Sequence, residues 1–93
     1  MRRRRSRGQR RQAASGLDVD RALASGLERQ RAGQLAEAAA YYQQILEAVP
    51  EHPDALHLLG VVAHQSGRHD LALTLIGAAI EIAPDVADYH SNL

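Results

Sequence analysis

The sequence predicts an all-α fold in which antiparallel helix–turn–helix pairs stack as a short α-solenoid. Its main signal is a period of 34 residues, typical of repeat arrays, because segment 53–86 laid over segment 19–52 gives six identical positions. No segment alternates apolar and polar residues for long enough to form a β-strand. Since stacked repeats present a surface rather than one enclosed cleft, the period favours recognition over catalysis. The six pairs are Asp20/Asp54, Gly26/Gly60, Gly33/Gly67, Ala38/Ala72, Glu47/Glu81 and Pro50/Pro84.

Glycine and proline residues divide the first unit into helices. A short acidic stretch at 15–18 suits a helix N-terminus and its dipole, so the first helix begins there and runs to about residue 32. Gly33 then turns the chain, and a second, alanine-rich helix covers about 34–48. Pro50 ends that helix, and Pro53 is well placed as the first residue of the next one.

The same pattern of glycine and proline residues recurs one period later. The third helix covers about 53–65, Gly67 turns the chain, and the fourth helix covers about 68–82 before Pro84 stops it. Residues 86–93 begin a fifth helix. The predicted boundaries are 17–93 for the repeat domain, 19–52 and 53–86 for its complete units, and 87–93 for an incomplete third unit.

One face of the third helix is expected to pack against the fourth helix. Gly60 lies in the middle of this face, although a mid-helix glycine costs about 1 kcal/mol relative to alanine. That cost is explained if the neighbouring helix approaches where a Cβ atom would collide. Gly26 repeats the arrangement one unit earlier. The expected packing positions are Leu56, Leu59, Gly60 and Ala63 in the third helix and Ala72, Ile76 and Ala79 in the fourth.

The formal net charge of zero hides an uneven distribution. Segment 1–16 carries seven arginines and no acidic residue, whereas all 11 acidic residues lie beyond it, so this tail carries +7 and the remainder −7. Because the tail lacks apolar periodicity, we expect it to be disordered and to offer an anion-binding cluster. The arginines of this cluster are Arg2, Arg3, Arg4, Arg5, Arg7, Arg10 and Arg11.

Composition argues against several classes of function. The chain has no cysteine, which removes disulfides, thiolate metal sites and cysteine nucleophiles. Its longest apolar runs are far shorter than the roughly 18–20 residues that span a bilayer, so no membrane span is expected. No apolar stretch follows the basic start, so a secretory signal is not indicated. The expected location is the cytoplasm.

The second unit resembles the tetratricopeptide repeat (TPR), a family of 34-residue helix–turn–helix units. The positions that carry the likeness are Leu56, Leu59, Gly60, Ala63, Ala72, Ile76, Ala79 and Pro84. The first unit keeps Gly26, Ala38, Tyr42, Ile45 and Pro50 but departs from the pattern at Ala22, Ser25 and Arg29. Its first helix is therefore interpreted as a polar cap. The resemblance implies a right-handed stack that acts as a scaffold and binds a protein or peptide on its concave face.

The resemblance also implies which residues face that concave groove. The leucine, valine and histidine side chains of this groove, together with Asp54, favour as ligand an extended or helical peptide with apolar anchors and some basic character. The family's clamp for chaperone C-terminal carboxylates is not matched. The alternative is that these positions are ordinary solvated or packing residues. The candidate peptide-binding residues are Asp54, His57, Val61, His64, Gln65, Leu23, Leu27, Gln30, Arg31 and Asn92.

No catalytic, metal or cofactor site is predicted. His57 and His64 lie seven residues apart, about 10.5 Å along a helix, which is too far for a shared metal. His64 and His69 flank the turn between the third and fourth helices and can approach each other, but two ligands make a poor site. Ser66, His69 and Asp70 lack the fixed orientation and oxyanion hole of a catalytic triad. We therefore expect no enzyme activity.

Three further interpretations remain open. The chain stops where the family pattern places another glycine, so it is interpreted as the N-terminal part of a longer TPR protein. That protein is either a scaffold or an enzyme such as an O-linked glycosyltransferase. The arginine tail is either a solvated extension or a weak tether for nucleic acid, although no aromatic residues are interleaved for base stacking. The region of Ile80 and Ile82 has no neighbouring unit to pack against, so the chain is expected to be either a marginally stable helical monomer or to self-associate through that end.

Overall fold

The computed structural model describes residues 17–86, and this part of the chain is helical without any β-strand. Helix α1 packs against α2, α2 against α3 and α3 against α4, which is the order of a stack of helix pairs. The predicted all-α array is confirmed. The arginine tail at 1–16 and the incomplete unit at 87–93 lie outside the described residues. The helices are α1 (Val19–Arg31), α2 (Leu35–Ala48), α3 (Pro53–Gln65) and α4 (His69–Ile82).

The helix boundaries agree closely with those read from glycine and proline. The third helix has the predicted bounds, and α2 and α4 each begin one residue later than predicted. Asp18, the acidic residue of the predicted helix entry, is the N-cap of α1. Within residues 17–86, none of the helices is both long and apolar enough to cross a membrane.

The first helix of each pair begins with a side-chain cap. The carboxylate of Asp18 accepts a hydrogen bond from the Arg21 N–H at 3.1 Å. In the second unit, Nδ1 of His52 accepts one from the Ala55 N–H, also at 3.1 Å. Such caps satisfy a backbone donor that has no partner within the helix. Since residues 18 and 52 are one period apart, the repeat extends to the caps although the capping residue changes.

The turn within each pair depends on a glycine with positive φ. Gly33 has φ 81° and Gly67 has φ 83°, a left-handed conformation that disfavours any residue with a Cβ atom. After Gly67, the Arg68 N–H donates to the Ala63 carbonyl at 2.8 Å, and the first turn repeats this bond at 2.9 Å. The two bonds satisfy carbonyl groups at the helix C-termini and fold each helix pair back on itself.

A second glycine in each unit lets two helices approach closely. A Cβ atom added at Gly60 would lie 2.6 Å from Ile76 Cγ1 and 3.3 Å from the Ala72 carbonyl oxygen. In the first unit, a Cβ at Gly26 would lie 2.9 Å from Cζ of Tyr42. Tyr42 and Ile76 are both fully buried and stand one period apart. The predicted close approach is confirmed, and each unit builds it from one glycine and one large side chain.

The core lies along the seam between the helices. Most of the predicted packing positions in α3 and α4 are buried, whereas Leu56 and Leu59 are only half-buried. Two core residues of α3, Ala55 and Val62, are absent from the predicted set because they face α2, the helix of the preceding unit. The main core cluster is Ala22, Ala38, Tyr42, Ile45, Ala55 and Val62.

Candidate protein-interaction surface

A chain of hydrogen bonds joins the first helices of the two units, α1 and α3. The Tyr42 hydroxyl donates to Gln30 Oε1 at 2.8 Å, and Gln30 Nε2 donates to Gln65 Oε1 at 3.1 Å. Tyr42 belongs to α2, so the chain links three helices. Gln30 and Gln65 are both predicted groove residues, and the structure brings them together across the two units.

The direction of this chain determines what it presents at the surface. Each hydroxyl or amide N–H donates toward Gln65, whose side chain is exposed. An amide group carries two N–H donors, so Gln65 can accept from Gln30 and still donate to another molecule. Hydrogen bonds in a chain polarise one another, which strengthens the terminal donor. The surface therefore offers a fixed N–H donor suited to a carbonyl group.

The Tyr42 hydroxyl, at the buried end of this hydrogen-bond chain, stays protonated at neutral pH. Burial raises the pKa of the Tyr42 hydroxyl to about 12, and the positive charge of Arg31 opposes part of that rise. A protonated phenol is the hydrogen-bond donor that Gln30 Oε1 requires. Tyr42 therefore holds Gln30 in the orientation that points its Nε2 group at Gln65.

The other predicted residues on these helices combine apolar and polar character. In α1, Leu23, Leu27 and Gln30 are half-buried, and Leu23 also packs against the core, whereas Arg31 is exposed. In α3, Val61 is half-buried, whereas the predicted residues at the two ends of the helix are exposed. Leu27 and Val61 occupy the same place in the two units. The exposed side chains of α3 are Asp54, His64 and Gln65.

His57 differs from the expectation of an open contact because it is only 8% exposed. At about 100° per residue, position 57 lies about 60° around α3 from position 60. Gly60 is buried against α4, and His57 is buried as well. Helical spacing placed His57 on the same stripe as Val61, but it lies at the edge of that stripe. Asn92 and the arginine tail lie outside the described residues.

The expected approach of His64 and His69 across the α3–α4 turn is confirmed. Their Nδ1 atoms lie 2.9 Å apart, so one imidazole donates and the other accepts. The ring centroids are 4.7 Å apart in an edge-to-face arrangement. Among the described residues, no group of three or more histidine, aspartate or glutamate side chains is placed to hold a metal ion. The pair therefore orders the turn at one end of the α1–α3 surface.

Sequence reasoning treated Tyr42 only as a large apolar residue of the repeat pattern. The structure gives its hydroxyl a role, because that group anchors the glutamine pair. One signal was available in the sequence. A buried tyrosine hydroxyl needs a hydrogen-bond partner, and the polar residues of the neighbouring helix were its nearest source.

The stacked helix pairs define a helical repeat scaffold. The profile of one protein family, the tetratricopeptide repeat, matches residues 23–87. This match covers more than half of the chain, so the protein belongs to the tetratricopeptide repeat family. Tetratricopeptide repeats serve generally as scaffolds for protein–protein interactions. No curated protein matches the chain.

Proposed function

We propose that this protein is a scaffold that binds a peptide or protein segment along the surface formed by α1 and α3. The observation that carries the proposal is the 3.1 Å bond from Gln30 Nε2 to Gln65 Oε1. It supports a continuous surface across the two units, with Leu27 and Val61 beside it. In this proposal the chain acts by binding alone, without a catalytic step, metal or cofactor, and it acts in the cytoplasm.

The side chains on this surface favour a ligand with a defined polarity. Leu27 and Val61 are half-buried and suit apolar anchor side chains. The Gln65 amide suits a backbone carbonyl, and Arg31 lies one residue from Gln30 at the same end. Asp54 lies in the first turn of α3, at the opposite end. An extended or helical peptide with apolar anchors and basic character near Asp54 fits this distribution.

The test begins with selection of random peptides from a display library against the full chain. Binders are then measured by calorimetry on the wild type and on Gln65→Glu. A glutamate keeps the oxygen that accepts from Gln30, but it replaces the outward N–H donor with an acceptor. We expect the dissociation constant to rise about tenfold, or about 1.4 kcal/mol.

The matched control is Gln44→Glu, which adds the same charge at an exposed position of α2. We expect it to bind the selected peptides as the wild type does. Selection without enriched binders, or equal affinity of wild type and Gln65→Glu, would remove the α1–α3 surface from the mechanism.

A further inference from the structure

A second surface lies between the second helices of the two units, α2 and α4. Both helices pack on α3, and they leave a cleft of about 400 Å³ between them. Leu35 and Ala39 line it from α2, Leu71 and Leu75 line it from α4, and Val62 forms part of the floor. None of the nine predicted groove residues within 17–86 lines this cleft, so it is separate from the α1–α3 surface.

The walls of this α2–α4 cleft have the spacing of helix ridges. Leu35 and Ala39 are four residues apart, as are Leu71 and Leu75. Residues four apart form the ridges of an α-helix, and the groove between two such ridges accepts a third helix. Gln43 extends the α2 wall, so the wall runs over eight residues, about 12 Å of helix or two turns. The cleft therefore suits a short amphipathic helix.

The charge at the cleft limits which side chains a bound helix can place beside it. Among the described residues that line the cleft, Arg68 alone is charged, and it is exposed. Within residues 17–86, its guanidinium makes no hydrogen bond and no ion pair. Arg29, by contrast, lies 3.4 Å from the Glu37 carboxylate. An arginine beside an apolar cleft without an acidic residue is complementary to a carboxylate supplied by a ligand.

We propose that the α2–α4 cleft docks an amphipathic helix of a partner protein, with an aspartate or glutamate of that helix paired to Arg68. The apolar stripe of the partner fills the space above Val62 and between the leucines of the two walls. The arginine tail of the chain does not fit this description, because its positive charge is repelled by Arg68. The chain thereby has two binding surfaces of different chemistry.

The test uses a display library of amphipathic 16-residue helices with a fixed apolar stripe and randomised flanking positions. We expect selection against the full chain to enrich aspartate or glutamate at one position beside the stripe. Arg68→Gln should weaken the selected helices at least tenfold. Arg21→Gln, at an exposed arginine of α1, should leave them unchanged.

A second pair of variants tests the location. Ala36→Glu places a carboxylate in the cleft lining, whereas Ala40→Glu places one at an exposed position of the same helix outside the lining. We expect the first to abolish binding and the second to preserve it, with equal helicity by circular dichroism.

Three results would overturn the proposal. The first is selection without acidic enrichment, and the second is binding that survives Ala36→Glu. The third is self-association of the free chain that Ala36→Glu disrupts, since the occupant would then be a second copy. Loss of binding in Gln65→Glu would instead assign the selected helices to the α1–α3 surface, so failures of the two proposals are distinguishable.

Discussion

Two mid-helix glycines, Gly60 and Gly77, allow the packing account to be tested with one chemical change. A Cβ atom at Gly60 would lie 2.6 Å from Ile76 Cγ1, whereas a Cβ at Gly77, apart from its chain neighbours and its own helix backbone, meets no atom of residues 17–86 within 4 Å. Carbon atoms in contact prefer about 3.5–4.0 Å, so Gly60→Ala requires a shift of about 1 Å. Because Ile76 is 1% exposed and the Ala72 carbonyl oxygen also lies only 3.3 Å from the added Cβ, that shift must separate α3 from α4.

The two substitutions should have opposite signs. Alanine is favoured over glycine in a helix by about 1 kcal/mol, while overpacking a core costs about 1–3 kcal/mol. Gly77→Ala should therefore raise the free energy of unfolding by about 0.5–1 kcal/mol, since its Cβ meets open space. Gly60→Ala should lower it by about 1–2 kcal/mol, and Gly60→Leu should unfold the domain.

Urea denaturation followed by circular dichroism measures both variants under the same conditions. The expected difference between them is about 1.5–3 kcal/mol, which is well above the error for a domain of this size. Equal stability of Gly60→Ala and Gly77→Ala would refute the conclusion that glycine is required for the approach of α3 to α4.

Other predictions concern the hydroxyl anchor, the tail and the exposed apolar side chains of α4. Tyr42→Phe should cost about 0.5–1.5 kcal/mol, because the Gln30 oxygen loses its donor. Burial raises the Tyr42 pKa from 10.0 to about 12, so the folded state holds this proton more tightly. That contribution to the free energy of unfolding is complete below pH 10 and is lost as pH rises toward 12. The Tm of the wild type should therefore fall over this range, and the Tm of Tyr42→Phe should lack this fall. If all seven arginines of segment 1–16 contact phosphates, log affinity for DNA should fall against log salt with a slope of about −6, and deleting the segment should abolish that binding. Leu73 and Ile82 are 56% and 42% exposed, so the chain should self-associate in sedimentation, and Leu73→Glu should reduce the association.

The sequence was sufficient for the fold because its period reports positions that backbone geometry requires. Gly33 and Gly67 need a positive φ, and Gly60 needs the absence of a Cβ atom. A positive φ or a missing Cβ atom is a property of one position and few neighbours, so a single residue type, glycine, indicates it in the sequence. The family resemblance named Gln30 and Gln65 as groove candidates, and the structure brings their side chains within hydrogen-bond distance.

The remaining features depend on contacts between units, which helical spacing within one helix does not report. His57 appears open in a single helix, but it is buried in the folded stack. The Tyr42 hydroxyl acts through a helix of its own unit and a helix of the next. The α2–α4 cleft exists only because two helices rest on a third, so neither its leucines nor Arg68 formed a recognisable motif.

The central claim is that a ligand binds along α1 and α3, and chemical-shift mapping tests it most directly. A peptide selected from the random library is titrated into the isotopically labelled chain. The account predicts the largest amide shifts near Leu27, Gln30, Val61 and Gln65, with the Gln65 side-chain amide also shifted because it donates to the ligand. Shifts confined to the outer faces of α2 and α4, with the Gln65 side chain unmoved, would contradict the account.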